Sequence, residues 1–188
     1  MTQWKTAAPK TDNFSWARRI FSTDNSRGVC AGFSQTWLML SLLQGTPLTN
    51  AGLLSNPKKI SNIHKDDARG RAGKQSPNML GGASAVTLPH SGLKIKPPYP
   101  VFAKSTNWKE IFDHLANQGT GYYYLTIKQP FTHAMACFMN PSDVYYLEPT
   151  NGLYQFSKAK FAEGVTSFYG QFKYSTDNDF KFYQVELM

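Results

Sequence analysis

Three residues in this sequence have the types and settings that nucleophilic catalysis requires: Cys30, His133 and Glu148. Cys30 follows Ser26-Arg27-Gly28-Val29 and opens an apolar stretch with helical spacing. Backbone N–H groups at a helix N-terminus point outward and carry partial positive charge, so a thiolate placed there is stabilised and available as a nucleophile. Gly28 lets the chain approach a substrate closely. A structural cysteine, by contrast, prefers the middle of an element. His133 follows Pro130-Phe131-Thr132 and starts the strand-like run His-Ala-Met-Ala-Cys-Phe, at the rim of a sheet where a helix N-terminus can meet it. Ala134 and Ala136 are small, so another element packs closely on their face. Glu148 closes the next strand-like run. Asn140-Pro141-Ser142-Asp143 is turn chemistry between the two runs, which makes them a hairpin with position 133 opposite 149 or 150. Glu148 then lies within one or two residues of His133 across the ladder. A carboxylate there accepts the imidazole N–H and stabilises the imidazolium. Taken singly, the three read as a buried thiol, a satisfied histidine and a solvated strand-end charge. Taken together they offer the residue types of a nucleophile, a general base and an orienting acid, the set that acyl transfer needs, so both readings stand at this point.

The elements that must position this trio are legible in outline. Phe33, Trp37, Leu40 and Leu43 form a stripe on a helix running from Cys30 to Gln44, with Ala31, Leu38, Met39 and Leu42 on its other sides. A helix apolar nearly all round is a central one. Gly45 supplies its stop, and Pro47 prevents continuation. Asn107-Trp108-Lys109-Glu110 resembles a capping box that opens a second helix through Ile111, Phe112 and Leu115, ending at Gly119. Strands are predicted over Tyr122-Lys128, Thr132-Met139, Asp143-Glu148 and Asp179-Leu187, with a turn at Asn151-Gly152 and a helix capped by Ser157 that carries Phe161 and Val165. Residues 46–104 are dense in Gly, Pro, Asn and Ser, with short helices expected near Leu48-Leu54 and Pro57-Asp67. A long irregular stretch of this kind is commonly functional. No internal repeat is present. A helical first half followed by an antiparallel sheet is an α+β arrangement.

Composition narrows the field. The chain has 188 residues, with 13 Phe, 10 Tyr and 4 Trp, enough apolar surface for one cored domain. No apolar run reaches the ~18–20 residues of a membrane span. The N-terminus shows no Sec-type pattern, so the expectation is a cytoplasmic protein or one that leaves its cell without a cleavable signal. Residues 1–24 are expected to be a polar arm, either a plain extension or an uncleaved secretion address, and residues 25–188 a single catalytic domain. The two cysteines, Cys30 and Cys137, are read as free thiols. Cys137 shares a strand face with His133 and Met135 and is expected in the core. Net charge is +8, which suits solubility or an anionic partner such as a membrane surface. No nucleic-acid motif accompanies that charge. His64, His90 and His114 lack ligand spacing, so no metal is expected. Gly81-Gly82 lacks the Lys-Ser/Thr of a phosphate loop.

The segments Gly28-Val29-Cys30-Ala31-Gly32-Phe33-Ser34-Gln35-Thr36-Trp37-Leu38, His133-Ala134-Met135-Ala136 and Glu148-Pro149-Thr150-Asn151-Gly152 resemble the YopT/AvrPphB type of papain-like cysteine protease, in order and spacing from residue 25 to about 156. The resemblance implies a papain-like fold, with a nucleophile helix packed on an antiparallel sheet, and no cofactor. It implies that Cys30 is the nucleophile and His133 the base. The position of the third triad residue falls on Glu148, where that type has Asp. The extra methylene either offsets His133 or passes the role to Asn151 or Asp143. The amide that completes the oxyanion hole falls on Asn25, beside the Cys30 backbone N–H. An effector or toxin follows, monomeric, delivered into a target-cell cytoplasm and cutting a host protein. Three rivals remain. A peptidoglycan amidase would suit Gly-x-Cys-x-Gly-Phe and the basic charge. A glutamine deamidase or transglutaminase uses the same triad. A non-catalytic binding module is motivated by the Glu-for-Asp departure.

Overall fold

The computed structural model of the protein describes residues 5–6, 30–49, 88–97, 101–103, 107–127, 133–149, 152–169 and 180–188. The first helix among the described residues, α1, spans Cys30–Gln44, the limits that the apolar pattern predicts. Burial on all sides of the first three turns includes Ser34, Gln35 and Thr36 as well as Phe33 and Trp37. The expected stripe fails at its far end: Leu40 is only half-buried and Leu43 is 64% exposed. Ala134 and Ala136 present almost no side chain to α1, and the helix lies close on them in one apolar cluster with Tyr124, Leu147 and Val185. Gly45 ends the helix at φ +73, a left-handed conformation that glycine adopts without a Cβ clash. The chain then folds back, because Trp37 Nε1 donates to Leu48 O and Leu48 N donates to Ser41 Oγ, both at 2.9 Å.

Among the described residues eight strands form one sheet in the order β1-β7-β6-β5-β4-β8-β2, with β3 also on β8, and every pair is antiparallel. They are β1 (Lys5–Thr6), β2 (Leu93–Ile95), β3 (Val101–Ala103), β4 (Gly121–Ile127), β5 (His133–Met139), β6 (Asp143–Glu148), β7 (Gly152–Ser157) and β8 (Phe180–Leu187). β4, β5, β6 and β8 match the alternation in the sequence within one residue at either end. β1, β2 and β3 were not foreseen, since two or three residues carry no readable period. β7 was missed because Asn151-Gly152 and Ser157 were read as turn and cap, although they bound a strand whose Leu153 enters one core and whose Tyr154 and Phe156 enter the other. The expected helices after Leu48 lie outside the described residues, save Leu48 and Thr49, which are not helical.

Among the described residues the opposite face carries two helices, α2 (Trp108–Ala116) and α3 (Phe161–Tyr169). Asn107 caps α2, its side chain accepting from Lys109 N at 3.0 Å. The helix stops at Ala116, short of Gly119, with Asn117 as its C-cap. Ser157 makes no side-chain cap, because a 3-10 turn over Lys158–Lys160 intervenes before α3. Odd-numbered residues of β5 (Met135, Cys137, Met139) enter this second core, while Ala134 and Ala136 enter the first. Phe161 stands at its centre, edge-on to Phe112, Tyr146 and Phe156 at ring separations of 5.7, 5.7 and 5.8 Å. No helix among the described residues is long and apolar enough to cross a membrane.

Truncating Phe161 to Ala is expected to cost about 3–5 kcal/mol of stability, the usual range for a fully buried Phe. Guanidinium unfolding measures it. Alkylation of Cys30 in the folded fraction should be unchanged, because Phe161 lies in the core on the far side of the sheet from α1.

Candidate active site

Cys30, first residue of α1, is partly exposed, and His133, first residue of β5, is buried. α1 packs on one face of the sheet, whereas His133 belongs by alternation to the other. The two therefore meet at the end of the sheet, over neither face. β4 holds His133 in place through the pair Ile127↔His133. The ladder between β5 and β6 runs from Met139↔Val144 only to Ala136↔Leu147. Continued, it would set Glu148 diagonally from His133, and such diagonal neighbours lie about 7–8 Å apart. The longer reach of Glu over Asp closes that gap: His133 Nε2 and Glu148 Oε1 are 2.7 Å apart. Glu148 is itself fixed by the pair Glu148↔Gly152, and it is 1% exposed.

The electrostatics follow from this arrangement. Burial alone would lower the His133 pKa. The Glu148 charge, the hydrogen bond to Cys30, the hydrogen bond to Glu148 and the Cys30 charge outweigh it and raise the value to about 10. With Nε2 engaged by Glu148, Nδ1 is the nitrogen left for the thiol. The group can exist as a thiolate–imidazolium–carboxylate line, in which Cys30 carries the reactive electron pair and His133 the transferable proton.

The remaining sequence candidates separate clearly. Asp143 begins β6 at its other end, about 17 Å from Glu148 at ~3.4 Å per residue. It accepts from Gln155 Nε2 at 3.3 Å and Ser142 Oγ at 2.9 Å, so the structure does not bring it to His133. The hairpin turn carries Asp143 away from the sheet end where Cys30 lies. Asn25 and Asn151 lie outside the described residues. Cys137 is fully buried, and burial pushes its thiol pKa well above the ordinary range. His114 is exposed on α2. Among the described residues no group of three or more His, Cys, Asp or Glu is arranged to hold a metal. One residue near the site was not singled out beforehand: Tyr154, on β7, whose pKa is raised first by burial and then by the Glu148 charge. Its only signal was the overlooked alternation after Gly152.

No protein-family model matches the sequence, and no curated protein matches it. Solved structures do. The crystal structure of the Pseudomonas avirulence protein AvrPphB superposes with a TM-score of 0.64 over 87% of this chain and 94% of that one, at 17% identity. The fold is papain-like. Within the papain-like fold, the end of the sheet beside the N-terminus of the central helix is where Cys30, His133 and Glu148 converge here.

The raised His133 pKa has a stability consequence whose sign is fixed. A group that binds its proton more tightly folded than unfolded stabilises the fold fully below its unfolded pKa, near 6.5, and loses that contribution as pH rises through about 10. Cys30→Ala removes the thiol's own titration and leaves Glu148 to hold the imidazolium. The stability difference between Cys30→Ala and Cys30→Ala/His133→Ala should then shrink as pH rises above 6.5, by guanidinium titration. A difference independent of pH would contradict a raised imidazole pKa.

Proposed function

We propose that this chain is a cysteine hydrolase that cleaves a protein amide bond with Cys30 as nucleophile, His133 as general base and acid, and Glu148 as the orienting carboxylate. The observation that carries the reading is the single line of side chains in which His133 stands between a helix-terminal thiol and a buried carboxylate at 2.7 Å. The Cys30 thiolate adds to the amide carbonyl carbon and opens its π bond. The oxyanion that forms is held by the Cys30 backbone N–H and, by the sequence resemblance, the Asn25 amide. His133 Nδ1–H passes its proton to the leaving nitrogen as the C–N bond breaks, which leaves a thioester. Water, losing a proton to His133, attacks that thioester and restores the thiolate.

The motive for a non-catalytic reading was the Glu-for-Asp departure, and the 2.7 Å approach of Glu148 to His133 supports the triad against it. The motif resemblance and a structural neighbour named as an avirulence protein support an effector or toxin role: delivery into a target-cell cytoplasm, against a host protein. The +8 charge would favour a substrate presented at an anionic membrane surface.

A proteome-wide cleavage-site screen comparing wild type with Cys30→Ala should yield new protein N-termini in the wild-type sample alone. One-dalton shifts without cuts would redirect the reading to a deamidase, and peptides released from purified sacculi to a wall amidase. Cys30→Ala and His133→Gln should abolish turnover with the circular dichroism unchanged, since Gln still offers Glu148 a donor. Glu148→Ala should retain a weak residue of activity, down about 10²–10⁴-fold in kcat, as for an orienting triad member. If iodoacetamide alkylates Cys30 with the pH profile of an ordinary thiol, the hydrolase reading fails.

A further inference from the structure

We propose that Tyr154 is a positioning residue for this site, its hydroxyl donating to the Glu148 carboxylate on the side away from His133. The inference rests on the proposed triad. Its own ground is the geometry of the β6–β7 hairpin.

Glu148 and Gly152 are cross-strand partners, so their substituents emerge on the same face. Tyr154 lies two residues further along β7 and shares that face. Gly152 contributes no side chain between them. A Cβ built on Gly152 would lie 3.8 Å from the Tyr154 hydroxyl oxygen, so that hydroxyl reaches back over Gly152 towards the glutamate opposite. Gly152 also sits at φ +132, a conformation that disfavours any L side chain, so the gap is built into the backbone. The Glu148 charge acts on the phenol and adds to burial in raising its pKa, as expected for a hydroxyl beside a carboxylate. Both residues are buried, and none of their polar atoms is among the buried groups lacking a partner. His133 takes Oε1. A carboxylate held only there can rotate about its terminal bond, and a second donor on Oε2 would fix the plane in which it faces the imidazole. Tyr154 is 4% exposed and one strand further from Cys30 than Glu148, so it has no access to substrate.

The test reads the alkylation of Cys30 by iodoacetamide against pH, which needs no known substrate. In wild type the acid limb should lie well below that of a free thiol. In Tyr154→Phe, which removes one oxygen and keeps the ring, the rate at pH 5 should fall about 3–10-fold while the rate at pH 9 stays within a factor of two. With Glu148→Gln already in place, Tyr154→Phe should have no further effect, because the carboxylate that it serves is gone. Tyr154→3-fluorotyrosine keeps the packing and strengthens the donor, so it should move the acid limb the opposite way. It carries the test alone if the Phe variant does not fold. An acid limb unmoved by either substitution, or an equal loss with and without Glu148, overturns the role of Tyr154 and leaves the triad standing. An ordinary thiol profile in wild type overturns both.

Discussion

A buried imidazole bridging a buried carboxylate and a thiol is the interaction on which this structure depends. Taking Glu148 and His133 out of water costs several kcal/mol per ion, and their attraction repays it only when geometry is tight and the remaining lone pairs are satisfied. Removing one partner is worse than removing both, since the other charge is left without compensation. The demand on the fold is therefore for exact placement of two strand ends and one helix end. β4 fixes the histidine, β7 fixes the glutamate, and close packing of α1 on Ala134 and Ala136 brings the sulfur down to meet them.

The two faces of the sheet serve this end differently. On one, α1 is sunk so deeply that Ser34, Gln35 and Thr36 are buried with its apolar residues. On the other, α2 and α3 close over an aromatic cluster of Phe112, Tyr146, Phe156, Phe161 and Phe180. That cluster holds the strands rigid without touching Cys30. Each face thus has its own buried cluster, and the Cys30–His133–Glu148 line lies at the rim between them.

Much of this was legible in the letters. Cys30 to Gln44 announced a central helix through apolar residues on every side, and the Asn140–Asp143 turn fixed the β5–β6 register well enough to bring Glu148 near His133. The Glu-for-Asp substitution suggested an offset histidine, but only coordinates reveal that the ladder stops at Ala136↔Leu147 and leaves a diagonal for the longer side chain to span. β2 and β3 were invisible because three-residue strands owe their existence to the neighbour they pair with, β8, and not to their own pattern. Tyr154 was overlooked for a related reason: its place follows from a hairpin whose second strand had not been recognised.

The short strand β1 has a wider consequence. Lys5 and Thr6 pair with Gln155 and Tyr154, so these two residues cap the rim of the sheet beside the glutamate's own hairpin. Unpaired strand rims are templates for adhesion between molecules. Whatever binds Lys5 and Thr6 as a free peptide must first peel them from β7, so such binding and closure of the sheet compete for the same two residues.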